Sequence, residues 1–305
     1  MADRLTARRR ITRVEGTVNR PGLETLAAEE PLEIRVGGQA VAVTMRTPGS
    51  DFELAAGFCL TEGLIAEPGD IEAIRYCAGC DPETGLQTYN VVDIALRGGG
   101  TVTPDLRRNV YTTSSCGICG SASIDAIRRT HEDIDDPVRV GTDVLRDLPE
   151  RMREAQRVFD RTGGLHAAAR FDAGGALLDL REDVGRHNAV DKIIGHAALS
   201  GVLPLSGQVL LVSGRVAFEI VQKALRARLP VIAAVSAPTS LAVDAAARSG
   251  RTLVGFLRGD RMNIYCGAER IVASGEALRP ANHVQEPSAR EAGAGGSAGS
   301  EPGIQ

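Results

Sequence analysis

The sequence predicts an α/β protein: a parallel sheet covered by helices toward the C-terminus, preceded by a smaller segment of mixed α and β. Three observations predict it. Between residues 209 and 257 short apolar runs alternate with helical spacing in the order β-α-β-α-β, the signature of a parallel sheet. The chain up to about residue 105 instead joins a hairpin signal to a helix and a further strand. Between the two lie the break Gly98-Gly99-Gly100 and residues 109–120, NVYTTSSCGICG, too rich in small residues for a core element.

Taken in order, Leu32 to Val36 and Val41 to Met45 read as strands around Gly37-Gly38, a hairpin signal. Asp51 to Leu64 has helical spacing at Leu54, Ala55, Phe58 and Cys59, with Gly63 as a stop. Tyr89 to Leu96 alternates like a strand. Ser121 to Arg129 reads as the helix after the small-residue loop. Pro149 to Phe159 reads as a charged surface helix that starts at its proline. His166 to Phe171 and Ala176 to Leu180 read as paired strands, and Asn188 to Leu199 as a helix with Ala189, Ile193, Ile194 and Ala197 on one face. Strands at Val209–Val212, Val231–Val235 and Thr252–Leu257 then alternate with helices at Phe218–Arg226 and Leu241–Arg248. From Glu286 the chain turns to Gly, Ala, Ser, Glu and Pro, the composition of a disordered tail, placed at 285–305.

The chain has 305 residues, enough for one large domain or two ordinary ones, and an apolar fraction of 43% is that of a globular protein. A net charge of −4 argues against nucleic acid as a main partner. Lys192 and Lys223 are the only lysines, and the heavy use of Arg reads as composition more than as anion recognition. No apolar run approaches the roughly 20 residues of a membrane span. Arg8-Arg9-Arg10 is followed by Ile11-Thr12-Arg13-Val14-Glu15 where a signal would have its apolar core, so a cytoplasmic location is expected. In that compartment structural disulfides are rare, and a Cys-x-x-Cys reads as metal-binding or redox-active chemistry.

The strongest local signal is Thr113-Ser114-Ser115-Cys116-Gly117-Ile118-Cys119-Gly120. A thiolate is the nucleophile, and the free N–H groups at the start of a following helix lower a thiol's pKa. Gly117 and Gly120 permit turn conformations and close approach to a ligand. The plain alternative is a pair of buried cysteines. Cys77-Ala78-Gly79-Cys80 is a second pair, and two such pairs invite a four-thiolate zinc site. Residues 81–115 between them exceed the usual zinc-ribbon spacing. A thioredoxin-like motif should follow a strand near the start of a compact domain. A zinc deaminase needs His-x-Glu and Pro-Cys-x-x-Cys; here His166-Ala167-Ala168 lacks the Glu, Ser115 precedes Cys116, and the two pieces stand in reverse order.

In a parallel sheet, ligands bind beyond the C-terminal strand ends. Three such ends are small and polar: Ser213-Gly214-Arg215, Ser236-Ala237-Pro238-Thr239-Ser240 and Arg258-Gly259-Asp260-Arg261. Two lead into helices, whose N-termini favour anions. Arg215, Arg258 and Arg261 suit phosphates, and Asp260 suits the N–H groups of a guanine edge. Ordinary turn chemistry explains any one of these loops; three together suggest a phosphate-bearing ligand. Residues 182–192 are dense in ionisable groups and read as a solvated helix start capped around Gly185 and Asn188, with His166 and His187 as packing or capping residues.

Six segments in one order, NVYTTSSCGICG (109–120), TGGLHAA (162–168), REDVGRHNAVDKIIG (181–195), LLVSGRVAFEIVQKA (210–224), VSAPTSLAVDAA (235–246) and TLVGFLRGDRMNIY (252–265), resemble the formate dehydrogenase accessory sulfurtransferase family (FdhD/NarQ). The resemblance spans roughly residues 10 to 280. It implies a cytidine-deaminase-like three-layer α/β domain over 109–280, an additional N-terminal α+β subdomain over 10–108, and a homodimer. It also implies sulfur transfer through a cysteine persulfide. A cysteine desulfurase would load Cys116, Cys119 would assist, and the sulfur would pass to the bis-guanine-dinucleotide molybdenum cofactor that formate dehydrogenase needs. The guanine-dinucleotide contact falls on Phe256, Leu257, Arg258, Gly259, Asp260 and Arg261. No resident metal is expected. The competing reading is a zinc-binding scaffold without sulfur transfer, and Cys77 and Cys80 have no place in the family mechanism.

Overall fold

The computed structural model describes residues 4–79, 87–100 and 134–273. Residues 109–120, the helix expected over 121–129, the boundary expected at 108/109 and the tail at 285–305 lie outside the described residues.

The chain opens with a two-stranded ribbon, β1 (Thr6–Glu15) and β2 (Val18–Ala27). Sequence reading misses it, because its apolar residues do not alternate and both faces carry Arg. β3 (Glu30–Val36) and β4 (Gln39–Arg46) then form the expected hairpin, with Gly37 and Gly38 both at positive φ. α1 (Asp51–Thr61) follows, then β5 (Ile71–Tyr76) and β6 (Val91–Leu96). These four strands make a sheet in the order β4-β3-β6-β5. Its core joins Leu32, Ile34, Val36, Val92 and Ile94 to Leu54, Ala55 and Cys59 of α1.

After β7 (Val140–Gly141) comes α2 (Thr142–Ala155), which corrects the expectation of a helix starting at Pro149. Pro149 sits inside the helix. The apolar residues that decide its course, Leu145, Leu148 and Met152, lie on one stripe and are buried. α3 (Arg157–Thr162) is a short helix whose first backbone N–H groups, at Val158 and Phe159, donate to the Glu182 carboxylate.

β8 (His166–Asp172), β9 (Leu177–Asp183), α4 (Arg186–Leu199), β10 (Gln208–Val212), α5 (Phe218–Arg226), β11 (Val231–Ala234), α6 (Ser240–Arg248), β12 (Thr252–Arg258) and β13 (Arg261–Cys266) follow, and β14 (Ile271–Val272) pairs with β7. The larger sheet has the order β13-β12-β11-β10-β8-β9. β10, β11 and β12 are parallel, as the alternation of elements predicts; β8, β9 and β13 run against their neighbours.

Strand residues alternate between two cores. Ala168, Leu210, Val212, Ile232, Ala234 and Leu253 face α4, α5 and α6. Ala167, Ala169, Phe171, Val209, Leu211, Val231, Ala233 and Val254 face α2. The period of two therefore places helices on both faces of the sheet, three layers in all.

The two sheets are joined through α1 and α4, which cross with their backbones nearly touching. A Cβ on Gly57 would stand 1.9 Å from the Asp191 carbonyl oxygen, and one on Gly195 1.8 Å from that of Glu53. Polar groups lock the same junction. The Asp183 carboxylate pairs with Lys192 at 2.7 Å and accepts from the Thr47 N–H, and Lys192 Nζ donates to the Thr47 carbonyl. Asn188 donates to the Met45 carbonyl, and Arg181 makes a two-pronged pair with Glu53. Residues 182–192 are thus not a solvated helix start. Gly185 is the N-cap as expected, but Asp183, Asn188, Asp191 and Lys192 are buried and hold the two sheets together.

Candidate functional site

Because β10, β11 and β12 are parallel neighbours, their C-terminal ends lie along one edge of the sheet. β8 runs the other way, so His166 at its start reaches the same edge, opposite Asp183 of β9. The three strand-end loops that the sequence marks as polar are stitched together there. Val216 and Pro238 form a parallel bridge, the Val216 N–H donates to the Ala237 carbonyl and the Thr239 N–H to that of Val216. The Phe256 N–H donates to the Ser236 carbonyl and Arg258 Nε to that of Val235. The Ser213 hydroxyl accepts from the Ala167 N–H.

This edge offers what an anion needs. α5 and α6 begin there, at N-caps Ala217 and Thr239. Arg215, Arg258, Gly259, Asp260 and Arg261 are exposed. Phe256 is 42% exposed and sits at φ 51, in the left-handed region. A non-Gly residue is held there only when its surroundings fix it, and the register break between Gly255 and Arg258 is part of that. Leu257, between them, has its side chain in the core against α2. Of the six residues from Phe256 to Arg261, five therefore face solvent and Leu257 supports them from below. Arg258–Arg261 is the turn of the β12–β13 hairpin, an element missing from the sequence reading, because β13 is largely exposed and carries no buried stripe.

Beside the edge, on the α2 face, a cavity of about 570 Å³ is lined by His166, Val184, Ser213 and Val235 from the strand ends and by Met152, Arg153, Gln156 and Phe159 from α2 and α3. That is the size of a small-molecule site. Sequence reading finds His166 and Ser213 but not the α2 and α3 wall, whose residues read as a plain amphipathic helix. Burial, and next to it Arg186, keeps the His166 imidazole below its ordinary range, with Asp183 opposing. It faces the cavity as a neutral ring near pH 7.

On the opposite face of the same edge, His187 opens α4 and Glu219 opens α5. Burial, Lys223 and Arg186 push the His187 ring down to about 4, so at neutral pH it is not an ion-pair partner for Glu219, whose Oε2 stands 4.0 Å from Nε2. Glu219 escapes sequence reading because an acidic residue in a first helical turn is unremarkable. Behind it, burial alone would depress Lys223, but Asp191 and Glu62 at 3.0 and 2.9 Å hold it charged.

Cys116 and Cys119 lie outside the described residues, as does Cys80. Cys77 follows β5, in a loop pinned by the Gln87 side chain, which donates to the Cys77 carbonyl and accepts from the Gly79 N–H. Cys59 is enclosed in the smaller core and Cys266 is half-buried; burial pushes both thiols up, away from the thiolate. Among the described residues no three His, Cys, Asp or Glu side chains cluster as a metal site, and no helix is long and apolar enough to cross a membrane.

The chain matches the model of the FdhD/NarQ family over residues 27–272. It is 60% identical over 275 residues to the sulfur carrier protein FdhD of Streptomyces avermitilis, covering 88% of this chain and 96% of that one. Identity to the protein of the same name from Mycobacterium tuberculosis is 55% over 276 residues, covering 87% and 98%. Its fold is similar to a crystal structure of a protein described as a formate dehydrogenase accessory protein from Desulfotalea psychrophila, with a TM-score of 0.70, 22% identity, and coverage of 88% of this chain and all of that one.

Proposed function

The chain belongs to the FdhD/NarQ family, and from that premise we propose that it is a sulfur carrier in the maturation of formate dehydrogenase, working in the cytoplasm as a sulfurtransferase through a persulfide on Cys116. One observation carries the reading. The sequence carries two cysteines among glycines at 113–120, and the same chain builds a sheet edge where three polar strand ends, two helix N-termini and exposed Arg215, Arg258 and Arg261 converge beside a cavity. The first supplies a nucleophile; the second suits a phosphate-bearing guanine group.

The donor is a cysteine desulfurase. The Cys116 thiolate attacks the outer sulfur of the desulfurase persulfide; that S–S bond breaks, a new one forms on Cys116, and the desulfurase leaves as a thiolate. No electrons enter or leave the pair of proteins. The acceptor is the bis-guanine-dinucleotide molybdenum cofactor of formate dehydrogenase, bound as a substrate at the strand ends. Asp260 accepts from a guanine edge, Arg258 and Arg261 pair with phosphates, and Phe256 offers a ring for stacking. Cys119 assists by relay or exchange. A homodimer and a cytidine-deaminase-like larger domain complete the proposal; helices on both faces of a central mixed sheet support the latter.

Intact-mass analysis after incubation with a cysteine desulfurase and cysteine tests the carrier role. The expected result is a gain of one sulfur, located to Cys116, released by reductant and absent from Cys116→Ala. That variant folds but yields formate dehydrogenase without its molybdenum sulfur. Full formate dehydrogenase activity with Cys116→Ala would remove Cys116 from the mechanism. One zinc per chain, lost on mutating either cysteine pair, with no sulfur gained, would instead favour the zinc scaffold.

A further inference from the structure

Gln156 is the joint between α2 and α3, and only 4% of it is exposed. A polar side chain at such a joint ordinarily caps the helix that follows. The Gln156 side chain makes no capping hydrogen bond to α3, whose Val158 and Phe159 N–H groups donate to Glu182 of β9 instead. Neither of its amide atoms has another hydrogen-bond partner among the described residues, and neither is among the side-chain atoms sealed off without one. The amide therefore opens onto the space that Gln156 lines, the cavity of about 570 Å³ beside the sheet edge. A buried amide with its donors and its acceptor unspent calls for a ligand there.

Two more side chains of the cavity wall keep hydrogen-bonding capacity. Ser213 Oγ accepts from the Ala167 N–H, which leaves its own proton without an acceptor among the described residues. The His166 ring, neutral near pH 7, has one N–H to give and one nitrogen that accepts. No carboxylate is among the lining residues, and the Arg153 charge is matched by Asp160. The wall is thus close to neutral and disfavours an ion as its ligand. Its apolar part offers flat contact. The Arg153 guanidinium lies 4.8 Å over the Phe159 ring, a stack that a planar group extends. Met152, Val184 and Val235 complete that part of the wall.

We propose that the cavity binds a flat, uncharged bicyclic heterocycle by its lactam edge, the N–H beside C=O that pterins and guanine share. A primary amide and a lactam are complementary: Gln156 Nε2–H donates to the ring carbonyl, and Gln156 Oε1 accepts from the ring N–H. Two parallel hydrogen bonds fix the ring in its plane. The Ser213 hydroxyl and the His166 N–H donate to further ring nitrogens, and Phe159 and Met152 cover the apolar faces. The cofactor taken above as the sulfur acceptor, a reading on which this step rests, carries that edge on its pterin as well as on its guanine. The guanine is assigned to the β12–β13 hairpin, so the cavity falls to the pterin.

Titration of the full chain with pterin at pH 7, followed by the fluorescence of the ring, tests the site. Gln156→Met keeps the size of the side chain and removes its hydrogen bonds. It is expected to weaken pterin binding by roughly tenfold to a hundredfold, the worth of two neutral hydrogen bonds. The thermal midpoint should stay at or above that of the wild type, because an unpaired buried amide is gone. Diaminopteridine has the same shape with an amino group in place of the carbonyl, and should bind the wild type more weakly by a like factor. Pterin binding by Gln156→Met within about twofold of the wild type, equal binding of the two rings, or no binding of either overturns the proposal. The side-chain ¹⁵N–H signals of Gln156 give a readout that needs no variant: a pterin-dependent shift supports the pairing, and no shift overturns it. Guanosine diphosphate separates the two sources of the edge. Binding alongside pterin is expected; displacement of the pterin overturns its claim and gives the cavity to guanine. Sulfur uptake by Cys116, read by intact mass, is independent of these results. A chain that takes up sulfur but binds no pterin loses this assignment alone, and one that binds pterin but takes up no sulfur loses the carrier reading while the ring site stands.

Discussion

Burial, together with Lys223 and Arg186, holds the His187 imidazole at about 4, well below the ordinary histidine value. The folded state thus refuses a proton that the unfolded chain accepts below about pH 6.5. His187 contributes stability that is fully present above that value and is lost as pH falls through the folded pKa. Over that window the loss amounts to roughly 3 kcal/mol. His187→Gln removes the titration, so between pH 7 and pH 4 the wild type should lose about that much more unfolding free energy than the variant. Urea unfolding at the two pH values measures the difference, and parallel losses would contradict the environment described for the ring. Asp191 works in the other direction, because burial raises its carboxyl to about 6, and it cancels in the comparison since both proteins carry it. At this scale the sequence was half legible. Spacing and residue type mark His187 as a histidine at a helix start, but its depressed pKa comes from burial and from Lys223 on another helix, against the opposing pull of Glu62 after a third.

The α1–α4 crossing shows the same limit for whole elements. Both helices are readable from their apolar spacing. That they cross at Gly57 and Gly195 is not, because a glycine inside a helical pattern reads only as a weak point. The structure gives both glycines a reason: each has a carbonyl of the facing helix where its Cβ would be. Gly57→Ala or Gly195→Ala must therefore push two buried helices apart, along with the Asp183–Lys192 and Asn188–Met45 contacts beside them. A cost of about 3 kcal/mol or more is expected for either, read as a lower urea midpoint; a change below about 1 kcal/mol would mean that the helices are farther apart than described. Strands with one buried face or two, such as β3, β8, β10, β11 and β12, are legible because burial writes a period into the sequence. β1, β2, β5 and β13 have no fully buried residue and leave no such period. Pro149 misleads for a related reason: a proline is a strong local mark, but the stripe of Leu145, Leu148 and Met152 outweighs it.

For the molecule as a whole, the site is a property of the sheet edge and not of any one segment. The sequence lists its loops; parallel pairing of β10, β11 and β12 puts them side by side, and Gly255 sets how closely. A Cβ there would come within 2.8 Å of Pro238 Cδ, 3.0 Å of the Tyr265 ring and 3.3 Å of the Ser236 carbonyl. Gly255→Ala should thus move the 236–240 loop away from the β12–β13 hairpin, parting the α6 N-terminus from Arg258, Asp260 and Arg261. Displacements of this kind cost a preorganised site about tenfold or more in affinity, some 1.4 kcal/mol. Titration with guanosine diphosphate as the probe checks it, with Arg258→Ala, expected to weaken binding by a similar factor, as the comparison. The hairpin can shift outward into solvent because Ile264 and Tyr265 are exposed, so the thermal midpoint should fall little while affinity falls much. A Gly255→Ala protein that binds the nucleotide like the wild type would mean that the two loops do not share a ligand, and that the proposed guanine contact rests on the hairpin alone.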